Sequence, residues 1–231
     1  MKNLLFVLFA IILILDAPLT FGIVMVDSLQ SIELACINAH NNDTLILQDG
    51  TFTEDITLPC KGQTIASLYL LTQDSSHIRA CIVVGSINAQ NCSLQTRLVG
   101  VSFRNGQGTF WSETNAFAGG SVFIWRAQAS IRDCRIMNSS AGHGGGIAIS
   151  DGVLNLERTV CLGCSATNYG GGIYADFSTL TLDQVYIEQC TSVLEAGGLV
   201  ALTCGVMLRN SMISNCSGLV GGVAVVNTNG L

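Results

Sequence analysis

Cysteines, histidines and a sparse set of carboxylates carry whatever chemistry this 231-residue chain can offer. Cys161-x-x-Cys164 has a spacing used by redox couples and zinc sites. A zinc site of that kind normally draws on a second Cys/His pair. A structural role suits Cys164 better, because it belongs to a repeating column, and no metal or cofactor is expected. Arg132, Glu157, Asp183 and Arg209 follow the apolar residues Ile131, Leu156, Leu182 and Leu208. If the apolar residues point inward, the charged ones point out. Stacked carboxylates about 5 Å apart would suit a retaining glycosidase or a calcium ion, but the flanking arginines give them a simpler role as a neutralised, solvated ladder. Phe117, His143, Tyr169 and Glu195 recur in steps of 26. Three rings in a column would offer a flat platform to the C–H faces of a sugar; the plainer alternative is ring packing that stiffens a turn.

The elements that position these residues come from a repeat. Glycine pairs stand at 119–120, 145–146, 171–172, 197–198 and 221–222, spaced 26, 26, 26 and 24. Asn138, Cys164, Cys190 and Cys216 march at 26, each followed by Ser or Thr, and so do Leu154-Asn-Leu156, Leu180-Thr-Leu182 and Val206-Met-Leu208. A fixed period of this size marks a repeat architecture, and alternation with period two in Val, Ile and Leu marks strands. The expectation is an all-β, right-handed parallel β-helix with three short strands per coil. About seven coils from Thr44 onward would reach roughly 34 Å at the spacing of paired strands. The expected divisions are a cap-helix region over 23–43, irregular coils over 44–118 and regular 26-residue coils over 119–231. Ser28 to Ala39 would form the cap helix, with Ile32, Ala35, Cys36 and Ala39 on one face, covering an otherwise open sheet end. After each glycine pair, Val122, Ala148, Tyr174, Val200 and Ala224 would face outward as an apolar stripe, which implies a protein partner, a second copy or a covering loop. The chain stops at Leu231 in mid-repeat with no polar cap, which reads as part of a longer protein.

Composition narrows the classes. Charged residues make up 11%, far below an ordinary soluble domain, and apolar residues 49%, which excludes disorder. A net charge of −6 argues against a nucleic-acid partner. Lys2 and the apolar run Leu4 to Leu15, broken by Asp16, Pro18 and Gly22, read as a secretory signal over 1–22; no later run is long enough for a transmembrane helix. Secretion would make disulfides the default among the ten cysteines. The candidates are Cys36, Cys60, Cys81, Cys92, Cys164, Cys190 and Cys216. Cys36–Cys60 would fasten the cap and Cys81–Cys92 would close a loop, although spacing alone does not fix connectivity. Sequons at Asn42, Asn91, Asn138 and Asn215 are glycosylation candidates.

Residues 31–65, SIELACINAHNNDTLILQDGTFTEDITLPCKGQTI, resemble the opening segment of pectin-lyase-like β-helix proteins, in which a short cap helix leads to DT, a strand, GTY and another strand. AGHGGGIAI, NYGGGIYA, EAGGLVA and LVGGVAV are similar to polymorphic outer membrane protein repeats, which pair GGA[ILV] with F-x-x-N. Here F-x-x-N stands as Ile213-Ser-Asn-Cys216, Ile187-Glu-Gln-Cys190 and Cys161-Leu-Gly-Cys164, with Cys for Asn. The resemblance implies an extracellular or cell-surface protein used in adhesion or structure. Gly142-His143-Gly144 resembles the GHG of polygalacturonases, but Asp133 and Asp151 are not placed as that family places its aspartates. No convergent acid–base cluster is visible. The leading expectation is therefore a non-enzymatic module that binds a surface glycan or a protein; a polysaccharide lyase or hydrolase and a structural wall or coat component are the alternatives.

Overall fold

Alternating Leu, Ile and Val residues can bury one face of a strand only if the next coil lies beside it, and the chain does wind that way. The computed structural model describes residues 21–226. They form an all-β solenoid whose strands pair in parallel from coil to coil. One regular coil passes through Val153–Glu157 in a first sheet, Val160–Leu162 in a second, Ser165–Tyr169 in a fourth and Ile173–Asp176 in a third. It then returns to the first sheet at Thr179–Asp183. The sequence pattern predicts three strands per coil; the extra one is the Ser/Thr-rich stretch before each glycine turn. The first sheet has eight strands, the second and third seven each, and the fourth five. Leu154, Leu156, Leu180 and Leu182 stack in register inside.

Corners are made by single residues in the left-handed region. After the first sheet these are Asp133, Arg158, Gln184 and Asn210 (φ 56, 45, 56 and 48°); after the second they include Asn138, Gln189 and Asn215 (φ 53, 54 and 53°), with Gly163 at 64°. Asn and Asp tolerate this conformation best among L residues. At most of these corners the following residue is a Ser, Thr or Cys whose side chain donates to the carbonyl two residues back. Ser139, Thr159, Ser178 and Ser211 do so through hydroxyls, and Cys134, Cys164, Cys190, Cys204 and Cys216 through thiols. Half of the cysteines are thus corner residues interchangeable in role with serine.

Register corrects the expected period at one point. Val122 pairs with Ile147 and Met137 with Leu162, a step of 25 rather than 26; the next two coils step by 26 and the last pairing, Leu199 with Val223, by 24. Three consecutive glycines, 144–146, allow the pair to be read in two frames, and the folded frame sets Gly120 beside Gly145. The cysteine row therefore begins at Ser139, and Asn138 stands in the corner row instead.

The cap is shorter than predicted. Helix α1 spans Ile32–Asn38, with Ser31 Oγ accepting from the Leu34 amide and Glu54 accepting from the Ile32 amide at 2.7 Å. Ile32 and Cys36 plug the interior of the first coils. Before it, Ile23–Val26 adds a strand to the first sheet. The expected irregular coils carry insertions: α2 (Tyr69–Thr72) and α3 (Ser76–Ala80) in one, a hairpin of Thr109–Trp111 and Ala116–Ala118 in the next. The signal segment lies almost wholly outside the described residues.

Neither expected disulfide forms. Cys60 bonds Cys92, Cα to Cα 4.8 Å, linking equivalent corners of adjacent coils. Cys36 and Cys81 are instead buried free thiols, each pushed up to about 12, first by burial. Cys164, Cys190 and Cys216 are free as well. The bridge closes a loop of 32 residues, so Cys92→Ser should cost about 3–4 kcal/mol in urea unfolding under non-oxidising handling. Two glycines should behave oppositely. A Cβ at Gly145 would sit 2.2 Å from the Ser165 carbonyl oxygen, whereas at Gly205 the nearest atom is 4.0 Å away. Gly145→Ala should cost about 3 kcal/mol, and Gly205→Ala should be neutral or stabilising by up to about 1 kcal/mol in the same assay.

Candidate functional site

The ring column and the apolar stripe meet each other. Because of the 25-residue step, His143 pairs with Ala118, not Phe117, and then with Tyr169 across a register shift. By the same step Val122 points into the interior core and Phe123 takes its place in the outer row, beside Ala148, Tyr174, Val200 and Ala224. That row is not exposed. Phe123, Ala148, Tyr174 and Val200 are buried with Trp111 and Ala196 in a second core on the outside of the third sheet, and Ala224 packs half-buried against it. Trp111, brought over by the hairpin, lies 5.6 Å from Phe123 and 6.3 Å from His143, centroid to centroid; His143 lies 5.2 Å from Tyr169 and 5.1 Å from Tyr174. Aromatic rings at such separations attract beyond their area burial. His143 and Tyr169 of the expected platform thus meet Ala148, Tyr174 and Val200 of the expected partner surface in one cluster with Trp111 and Phe123. Glu195 occupies the equivalent turn one coil on, half-exposed, with its amide donating to Ser192 Oγ.

Phe117 stays outside, 51% exposed, edge-on to Phe110 at 5.7 Å. It stands at one end of a groove of about 710 Å³ on the fourth sheet. The floor is a ladder of hydroxyls in register, Ser140, Ser165 and Thr191, with a bridge onward to Ser217. Gln107, Thr167 and Ser192 complete the polar lining, and none of the lining residues is charged. Ser140 Oγ donates to Gln107 Oε1 at 3.0 Å. The readable signal was the Ser or Thr after each column residue, overshadowed by the columns themselves.

The charge ladder keeps its register, Arg132 beside Glu157, Glu157 beside Asp183 and Asp183 beside Arg209. Corner residues neutralise it further. Arg158 grips Asp133 through two nitrogens at 2.7 and 3.0 Å and also pairs with Glu157, while Asn210 donates to Asp183. Glu157 is thereby ion-paired, while Asp183 accepts from the neutral Asn210 amide at 3.1 Å. A different acid is perturbed: burial, then the charge of Asp151, holds Asp176 above the usual carboxylate range. Asp176 pairs with Ser150 in register, one residue from Asp151, and Arg126 lies 3.7 Å from Asp151.

Cys161, Cys164 and Cys190 converge in the interior, all buried, with sulfurs within 4.8 Å of one another. The sulfurs share protons: those that Cys161 and then Cys190 give to Cys164 hold Cys164 low and Cys161 high. All four sequon asparagines take left-handed corners, and Asn91, Asn138 and Asn215 are exposed. No family model matches the chain, and no curated protein matches it in sequence.

His143 supplies a test of the covered cluster. Its ring is 5% exposed, Nδ1 has no hydrogen-bond partner among the described residues, and burial holds its pKa below 6.5. Above pH 6.5 it is neutral both folded and unfolded. Below that, the unfolded chain takes up the proton first, so the fold loses stability until the pH drops below the folded value. Thermal melts from pH 7.5 to 5 should show the wild-type midpoint falling and His143→Gln giving a flatter profile.

Proposed function

We propose that this chain is an extracellular β-helix module that binds a neutral polysaccharide in the groove of the fourth sheet. The carrying observation is the uncharged groove beside Phe117, floored by a hydroxyl ladder that repeats with each coil. An exposed ring takes the C–H face of a sugar, and regularly spaced hydroxyls and an amide exchange hydrogen bonds with its hydroxyls. The absence of charged lining residues disfavours an acidic ligand's recognition by ion pairing and suits a neutral one. Secretion is supported by the charged start and apolar run of residues 1–22 and by the Cys60–Cys92 bridge; the exposed corner sequons would carry glycans. The opening segment and the glycine repeats support kinship with pectin-lyase-like and polymorphic outer membrane proteins, and with it an adhesive role.

One observation favours a second reading, a polysaccharide hydrolase: burial and the neighbouring Asp151 shift Asp176 upward, the direction in which a general acid is tuned. The structural-coat alternative would draw support from an exposed apolar row, and that row is buried. A panel of neutral and acidic polysaccharides, scored for retention and for new chain ends, separates these readings. Retention of a neutral glycan without cleavage is expected. Phe117→Ala should weaken it at least tenfold and leave the thermal midpoint within 2 °C or so, as a surface substitution should. New chain ends abolished by Asp176→Asn would establish the hydrolase instead.

A further inference from the structure

In the second sheet, the middle residue of each strand points into the core. Four successive coils place Ile136, Cys161, Ile187 and Ile213 there in register. Cysteine is the exception in a row of isoleucines. Its sulfur faces the corner thiols of Cys164, in its own coil, and Cys190, in the next; the Cys161 and Cys190 sulfurs are 4.0 Å apart. The corner thiols have a structural explanation, since Ser139 fills the same row with a hydroxyl. Cys161 has none: a branched apolar side chain is what this row uses, and the thiol replaces it where two other thiols already converge.

We propose that Cys161, Cys164 and Cys190 form a binding site for one soft, thiophilic monovalent cation, Cu(I). A cation held by three sulfurs at about 2.3 Å in a plane requires sulfurs about 4.0 Å apart, and the cluster is within 4.8 Å throughout. The ligand set is all sulfur and the surroundings are apolar, with Ile136 and Ile187 above and below; this selects a soft ion over a hard one. Zinc in structural sites takes four ligands, and among the described residues no fourth His, Cys, Asp or Glu joins the group. Cu(I) is satisfied by two or three sulfurs. On loading, two S–H bonds break, two metal–thiolate bonds form, the third thiol donates as a neutral ligand and two protons leave to solvent. The metal stays in its +1 state. One net negative charge then remains inside, less costly to bury than three. Because all three residues are buried, the ion enters as the chain folds.

The test is to refold the full chain anaerobically with Cu(I) buffered by bicinchoninate, remove unbound metal and count copper per chain. Cys161→Ile carries the residue that the neighbouring coils use, and Cys190→Ser mimics Ser139; both should fold, as circular dichroism will show. Wild type should retain one equivalent more than either variant, hold it at least tenfold more tightly against the chelator and gain a thiolate-to-copper ultraviolet band. Equal retention in wild type and both variants would overturn the site. So would preferential retention of Zn(II) when both ions are supplied, or a disulfide joining two of the three cysteines in peptide mapping of the purified protein.

Discussion

Everything in this molecule hangs on the backbone hydrogen bonds that tie each coil to the next. They fix which residues share a row, and a row is the unit in which this chain has meaning: leucines inward, charges outward, one corner residue, one hydroxyl or thiol turned back onto the chain. In a solenoid each coil contacts only its neighbours, so the register between two coils governs their side-chain packing as well. A shift of a single residue in one coil therefore reassigns every side chain downstream of it until the next glycine turn.

That sensitivity explains what could and could not be read from the residues. The architecture was plain, because Leu154, Leu180 and Val206 declare both the strand and the period. The candidate sites were built on the same period extended one coil too far. The glycine triplet 144–146 hides a 25-residue coil, so Phe117 and Val122 were each placed one position from their true rows. The covering of the stripe was out of reach for a different reason. Trp111 arrives on an antiparallel hairpin inside an insertion that shares no period with the rest. The disulfide partner of Cys60 was hidden because coil lengths in the irregular part vary, and only the folded register sets Cys60 and Cys92 at equivalent corners.

The second core changes how the outer surface should be understood. A β-helix face is commonly imagined as free for ligands, yet here the third sheet is closed over by Trp111, His143, Tyr169 and Tyr174, and the open face is the fourth sheet. The aromatic cluster buttresses that fourth sheet from one side. The backbone register already fixes the spacing of the hydroxyl ladder, so an extended ligand lying there, as proposed above, would meet hydrogen-bonding groups ordered in advance.

The covalent bridge also gives the molecule a polarity. In a stack where each layer holds only its neighbours, disassembly proceeds from an end. Cys60–Cys92 rivets two early layers together beneath the plug of α1, so peeling that reaches those layers halts at the rivet. The first coils then survive as a template on which the later ones can rewind, and recovery after partial unravelling becomes a zippering in one direction.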